Sequence, residues 1–286
     1  MRDTIADTMF NYILSVDDFR NNMPEEHRPS RIKITTITMV SKFAMTLDIQ
    51  KLRYCFEKLG SLKIKMKGTS GGKGEGFEWK IKPSKFYNSI ILMYQDQYSV
   101  KSIKIFPNGS IQVAGCSDLL NCRLIIKQLS FIFKEFLGKT VPHTNYRVVM
   151  INTNFSLNYH LNLNATYEWF ADSPIFDVSF DPDRYSAVKI KFKPAEDMKK
   201  VTVSIFRSGK IIITGAETLK EIAFAYNIIN QHITSNAKKI KVSTVDTPES
   251  FDTILGYRFD DWVTTLTDRK YRPWIFTRTN PPVKFF

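Results

Sequence analysis

This sequence predicts an α+β fold built from two copies of one unit, and three observations carry the prediction. A stretch of the chain recurs 100 positions later, strand-like alternation surrounds each copy, and each copy runs into a long helix-periodic segment. Phe106-Pro-Asn-Gly109-Ser-Ile-Gln-Val-Ala-Gly115 aligns without a gap on Phe206-Arg-Ser-Gly209-Lys-Ile-Ile-Ile-Thr-Gly215. Strands that meander and then hand over to helices describe a sheet covered on one face.

In chain order, Ile5, Met9, Phe10, Ile13 and Leu14 make an amphipathic helix that packs on the body or docks on a partner. Ile32 to Phe43 is rich in β-branched residues and reads as a strand; Asp48 to Leu59 reads as a helix with Asp48 near its start. A run opening at Tyr87, polar turn sequence at Gln95 to Tyr98, and the Asn108-Gly109 turn predict two consecutive hairpins. Leu120, Leu124, Ile125, Leu129, Ile132 and Phe133 then fall at helical spacing over 119–137. The second copy follows the same plan: an extended segment from Tyr146 to Leu161, a short helix over Asn164 to Phe170, and a strand from Tyr185. A turn at Pro194 to Asp197, the Ser208-Gly209 turn and a helix over 219–233 complete it. Each half reads strand, helix, three strands, long helix. The boundaries are an N-terminal extension at 1–30, repeats at 31–140 and 141–234, and a C-terminal extension at 235–286.

Alternation assigns faces. Ile105, Ile111 and Val113, and Ile205, Ile211 and Ile213, form the apolar sides that should carry helices. The opposite sides hold Phe106, Asn108, Ser110, Gln112 and Ala114, and Phe206, Ser208, Lys210, Ile212 and Thr214. Centring each hairpin on its polar turn places Tyr87 across from Phe106 and Tyr185 across from Phe206. Small polar residues between rim aromatics suit a flat ligand that the sheet approaches closely. A packing role explains either phenylalanine alone; recurrence of the pair in both copies favours a binding role.

Charge narrows the ligand. The net charge is +13, and residues 31–140 alone carry +12, against −3 for 1–30, +1 for 141–234 and +3 for 235–286. A polyanion partner is plausible for such a concentrated excess, and so is a solvated lysine-rich surface. No segment has the length and purity of a membrane span. The acidic start MRDTIADTMF lacks the positive n-region of a secretion signal, so the chain is expected to be intracellular. Cys55, Cys116 and Cys122 lack metal-ligand spacing and read as reduced thiols.

Tyr185-Ser-Ala-Val-Lys-Ile-Lys-Phe and Ile205-Phe-Arg-Ser-Gly-Lys-Ile-Ile-Ile-Thr-Gly-Ala216 resemble the TATA-box-binding protein (TBP) family, the second closely matching its Phe-x-Ser-Gly-Lys…Thr-Gly-Ala stretch. The first repeat keeps only the outline, in Phe106-Pro-Asn-Gly and Ala114-Gly115. Across about 31–234 the asymmetry and the extra ends resemble the family's homologues in large DNA viruses. The resemblance implies a two-repeat saddle: a curved antiparallel sheet with helices on the convex face, its concave face in the minor groove of double-stranded, A·T-rich promoter DNA. Kinking of that DNA by inserted side chains is the family's own known mechanism. It further implies wedges at Tyr87, Phe106, Tyr185 and Phe206, with tyrosine at two places where the family usually has phenylalanine. Thr214 matches a groove-contacting threonine whose counterpart is Ala114. The family's central asparagines fall near Thr36 and Thr38 in one strand and near Met150, Asn152 or Asn154 in the other. Lys189, Lys191 and Lys193 share the side of Tyr185 and are candidate phosphate contacts. Basal transcription factors or RNA polymerase subunits are the implied protein partners. The nucleus, a cytoplasmic viral factory or the virion are the implied locations.

Competing signals are weak. Gly68-Thr-Ser-Gly-Gly-Lys-Gly74 lacks the spacer and the Ser/Thr of a phosphate-binding loop and reads as an inserted loop. His27, His143, His160 and His232 are scattered, so neither a metal nor another cofactor is expected. No nucleophile–base constellation appears, and the chain is read as a binding protein, not an enzyme. An alternative keeps the fold as a protein-interaction module with weak or no DNA binding; Ala114 favours it and the retained aromatics oppose it. Trp262 and Trp274 in the C-terminal extension pack on their own domain or recruit a partner.

Overall fold

The computed structural model describes residues 16–64, 77–83, 88–96, 99–116, 119–138, 140–142, 146–244, 253–254 and 257–258. Tyr87, the Gly68–Gly74 loop, His143, the helix expected over Ile5–Leu14, and both Trp262 and Trp274 lie outside these residues. The chain divides into two compact units, one spanning Thr36–Val149 and one combining the chain through Thr35 with the chain from Met150.

The Thr36–Val149 unit takes strand β1 (Lys33–Lys42), helix α1 (Ile49–Leu59), strands β2 (Ser61–Ile64), β3 (Phe77–Lys82), β4 (Ile90–Gln95), β5 (Val100–Ile105) and β6 (Ser110–Cys116), and helix α2 (Leu119–Leu137). Its strands lie in the order β2-β3-β4-β5-β6-β1, all antiparallel. Asp48 caps α1 by accepting a hydrogen bond from Lys51 N at 2.9 Å, satisfying a backbone donor that the first helical turn leaves open. One sheet face is dry: Met39, Leu92, Ile103, Ile105, Ile111 and Val113 are fully or almost fully buried. Cys122, Ile125, Ile126, Leu129 and Phe133 of α2 and Leu52 of α1 are buried on the same side. The helical spacing of these residues in the chain is therefore the spacing of a core-facing stripe.

The second unit has β7 (Arg147–Ser156), β8 (Tyr159–Leu161), α3 (Leu163–Ala171), β9 (Asp177–Asp181), β10 (Tyr185–Phe192), β11 (Val201–Phe206), β12 (Lys210–Ala216), α4 (Leu219–Ser235), α5 (Ala237–Ile240) and β13 (Lys241–Thr244). Its main strands run β7-β12-β11-β10-β9, again antiparallel, and β13 pairs separately with β8. α4 begins in a capping box: Thr218 Oγ1 accepts from Glu221 N, and Glu221 accepts from Thr218 N, both at 3.1 Å. The stretch before β1 is tied to this unit. Ser30 N donates to Ser156 O at 2.7 Å, Ser30 Oγ accepts from Ser156 N at 2.8 Å, and the buried Tyr226 hydroxyl donates to Ser30 O at 2.9 Å.

Two expectations change. Between the short and the long helix there are five strands in the first repeat and four in the second, not three; β2, β3 and β9 are the additional ones, and Phe77, Trp79 and Ile81 alternating with Glu78, Lys80 and Lys82 are the period-two signal of β3. Phe206 is paired with Ala187, not Tyr185, since the hairpin closes one residue later than its polar midpoint suggests.

Turn geometry explains the repeated glycines. Gly109 and Gly209 both have φ of +82°. A Cβ there would sit 2.4 Å from Met45 O in the first repeat and 2.3 Å from Tyr159 O in the second. Both positions therefore exclude side chains on conformation and on space. Gly115 and Gly215 lie at the register shifts of β6 against β1 and of β12 against β7, where one extra residue is accommodated in a bulge.

Candidate nucleic-acid interface

In each unit the sheet face opposite the helices is uncovered by any described helix, and cross-strand register orders what it displays. In the second unit one row reads Asn154, Ile212, Ser204, Lys189, Ser179 from β7 to β9. The neighbouring row includes Thr214, Thr202, Lys191 and Asp177. At its rim Tyr185 is 38% exposed, and its ring meets Phe206 edge-on, centroids 5.8 Å apart at 66°. The two residues are diagonal neighbours across β10 and β11, and alternation still puts both rings on one face. Lys189 Nζ lies 4.1 Å from the Tyr185 ring centroid, a cation–π contact that holds the ring from one side. Lys191 and Lys193 are exposed, Lys210 half-exposed. Ser208 stands exposed in the turn.

Polar atoms in the middle of this face are held close. Thr214 Oγ1 donates to Thr202 O at 3.3 Å. Asn154 Oδ1 is buried and has no hydrogen-bond partner among the described residues, which leaves its amino group as what the side chain can offer outward. Asn152 is on the same strand face as Asn154 and Met150, half-buried like both.

In the first unit the corresponding row reads Val40, Gln112, Lys104, Ile91, Lys82, and the next reads Thr38, Ala114, Ser102, Met93, Lys80, Ser61. Phe106 is half-exposed at the start of its turn, and Asn108 Oδ1 accepts from Ser110 N at 3.0 Å, which fixes the turn. Phe106, Ser110, Gln112, Val40, Lys42 and Arg147 line an open depression of about 490 Å³. Thr36 is half-buried; Thr38, although its register places it beside Ala114, is only 3% exposed.

The structure thus brings together Phe106, Ser110, Gln112 and Thr38 in one unit, and Tyr185, Phe206, Lys191, Lys210, Ile212, Thr214 and Asn154 in the other. Sequence reasoning missed Lys104, Lys82 and Lys42. The signal was present, since Lys104 is two residues before Phe106 and alternation carries it to the same face.

Electrostatics separates the faces. Lys82 and Lys104 are exposed cations flanking Ile91, with Lys80 nearby in an ion pair with Glu78 at 3.2 Å. The outer strand of the second unit places Asp177 opposite Lys191 and Asp181 opposite Tyr185. Among the described residues no group of three His, Cys, Asp or Glu is placed to hold a metal, and no helix is long and apolar enough to cross a membrane.

Comparison with known proteins agrees with this geometry. The family described as transcription factor TFIID, or TATA-binding protein, matches residues 145–235, the second repeat. A TATA-box-binding protein-like protein of Acanthamoeba polyphaga mimivirus is 26% identical over 248 residues, covering 74% of this chain and 67% of the relative. TATA-box-binding protein 2 of Methanosarcina mazei is 21% identical over 204 residues, covering 71% and 95%. The solved structure of Methanococcus jannaschii TBP superposes with a TM-score of 0.51 at 18% identity, covering 72% of this chain and 99% of that one, and so shares the fold. With the repeated strand–helix plan and the paired turn glycines, these matches show that the chain has the TATA-box-binding protein fold and is similar to TATA-box-binding proteins, a TBP-like protein of a large DNA virus among them.

Proposed function

We propose that this chain is a transcription-initiation factor that lays its uncovered sheet faces in the minor groove of A·T-rich promoter DNA and bends it. The observation that carries the reading is the Tyr185–Phe206 ring pair on an uncovered face beside Lys189, with Phe106 at the repeated position. An aromatic edge at a base step replaces stacking with ring contact, so a kink there is offset by apolar burial. The flat floor of Ser204, Thr202, Thr214 and Asn154 permits close approach, and Lys191, Lys193 and Lys210 supply sequence-independent attraction to phosphates. The degenerate acceptors of A·T pairs match the donors of such a floor. Basal transcription factors or polymerase subunits are its protein partners, and it acts where its template is, in a nucleus or a viral factory.

End-labelled duplexes test this. The native chain should shorten the end-to-end distance of A·T-rich DNA, and Phe206→Ala and Phe106→Ala should abolish the shortening while urea melts stay within about 1 kcal/mol, since neither ring is in the core. Straight DNA in the native complex would sink the proposal. Straight DNA together with tight capture of a polymerase-associated factor would favour the interaction-module reading, which Ala114 supports.

A further inference from the structure

Resting on that reading, we propose that the two repeats read their halves of the DNA site with different stringency: the second repeat demands A·T pairs and the first tolerates G·C, through Gln112. The residues that differ stand at matched places. Gln112 and Ile212 are 100 positions apart, occupy the same register on β6 and β12, and are both half-exposed on the uncovered faces. Across the strand, Gln112 faces Lys104, whereas Ile212 faces Ser204, which is 7% exposed.

The minor groove distinguishes G·C from A·T chiefly by the guanine amino group, a donor that must keep an acceptor when water is expelled. Ile212 offers none. Its strand neighbour Asn154 has its acceptor oxygen buried and presents only donors. A guanine over this patch loses its hydrogen bond, while adenine N3 or thymine O2 can accept from the Asn154 amino group. Gln112 carries both an acceptor oxygen and an amino group on a longer, partly exposed side chain, so it can accept from guanine or donate to adenine and thymine. Lys104, exposed beside it, has donors only; its charge strengthens the hold on either sequence without choosing between them. A promoter with one G·C-containing half would therefore fix the direction in which the protein sits.

Three duplexes test this at equilibrium: all A·T, one G·C pair in one half, and one G·C pair in each half. The native chain should bind the first two within about threefold, because it turns the tolerant repeat to the substituted half. It should bind the third about tenfold more weakly, the ordinary penalty of one mismatched pair. Gln112→Ile should make the single substitution about tenfold costly too, and Ile212→Gln should restore binding to the double one. Lys104→Met should weaken all three alike and leave their ratios unchanged. A native chain that loses about tenfold on the single substitution, or a Gln112→Ile variant with the native pattern, overturns the inference. Failure to bind and bend the all-A·T duplex would instead remove the function on which it rests.

Discussion

The two repeats share a backbone and differ in what they hang on it. Gly109 and Gly209 adopt the same φ, and each is wedged against a carbonyl of its own unit; Gly115 and Gly215 make the same bulge. Between them the uncovered faces diverge, with Gln112 and Lys104 in one repeat standing where Ile212 and Ser204 stand in the other. The covered faces diverge as well. Lys101 is 1% exposed and paired with Asp96, its Nζ 5.7 Å from the centroid of the Tyr94 ring, whereas its counterpart Val201 faces Phe192 in an apolar cluster with Phe176. Backbone demands that no other residue can meet persist between the copies, and side chains answering only to packing volume or to a ligand are free to drift. The family match to residues 145–235 alone follows the repeat that has drifted less.

The glycine comparison can be broken most sharply. Gly109→Ala and Gly209→Ala should each destabilise the chain by on the order of 4 kcal/mol in urea melts, because both conformation and space forbid a Cβ. A loss at one position only would mean that the turns are not equivalent.

Next comes the buried cation of the first repeat. Asp96→Ala strands the Lys101 ammonium and should lower stability by about 3 kcal/mol; Lys101→Val, which installs the second repeat's residue, should change it by less than about 1 kcal/mol. Equal losses would show that the pair itself contributes strongly and is not simply a tolerated substitute for Val201.

A smaller effect concerns the tether seen in the second unit. Tyr226→Phe leaves Ser30 O without its buried donor and should cost about 1.5 kcal/mol, read as a shift in denaturant midpoint at unchanged slope.

The smallest effect is one of pH. The His232 ring stacks on Trp169 and touches Phe170 and Phe176, and burial holds its pKa below the ordinary 6.5. Unfolding therefore takes up a proton at mildly acidic pH. Its contribution is complete above 6.5 and is lost as pH falls below 6.5 through the lower folded value. The first repeat has Ile132 at the matching position. His232→Leu should flatten the acid side of the stability–pH curve in that window, and an unchanged curve would assign the slope to other groups.

Much of this molecule is legible in its chain because the determinants are local. Period-two and period-3.6 patterns name the dry faces; Ile205, Ile211, Ile213 and the α4 stripe are buried as the alternation requires. The 100-residue displacement and its glycines declare the duplication, and the turn residues declare the hairpins. Tertiary structure alone decided the rest. Hairpin register, set by turn geometry and by cross-strand packing, paired Phe206 with Ala187 and made the ring contact with Tyr185 diagonal. Neighbouring strands brought Lys104 beside Gln112 and gave Ile212 the neighbours Ser204 and Asn154. Burial closed over Thr38, which alternation places on the uncovered face but cannot expose. A strand's own pattern says which side a residue is on; who stands next to it depends on chain segments far away in sequence, and only the folded sheet brings them together.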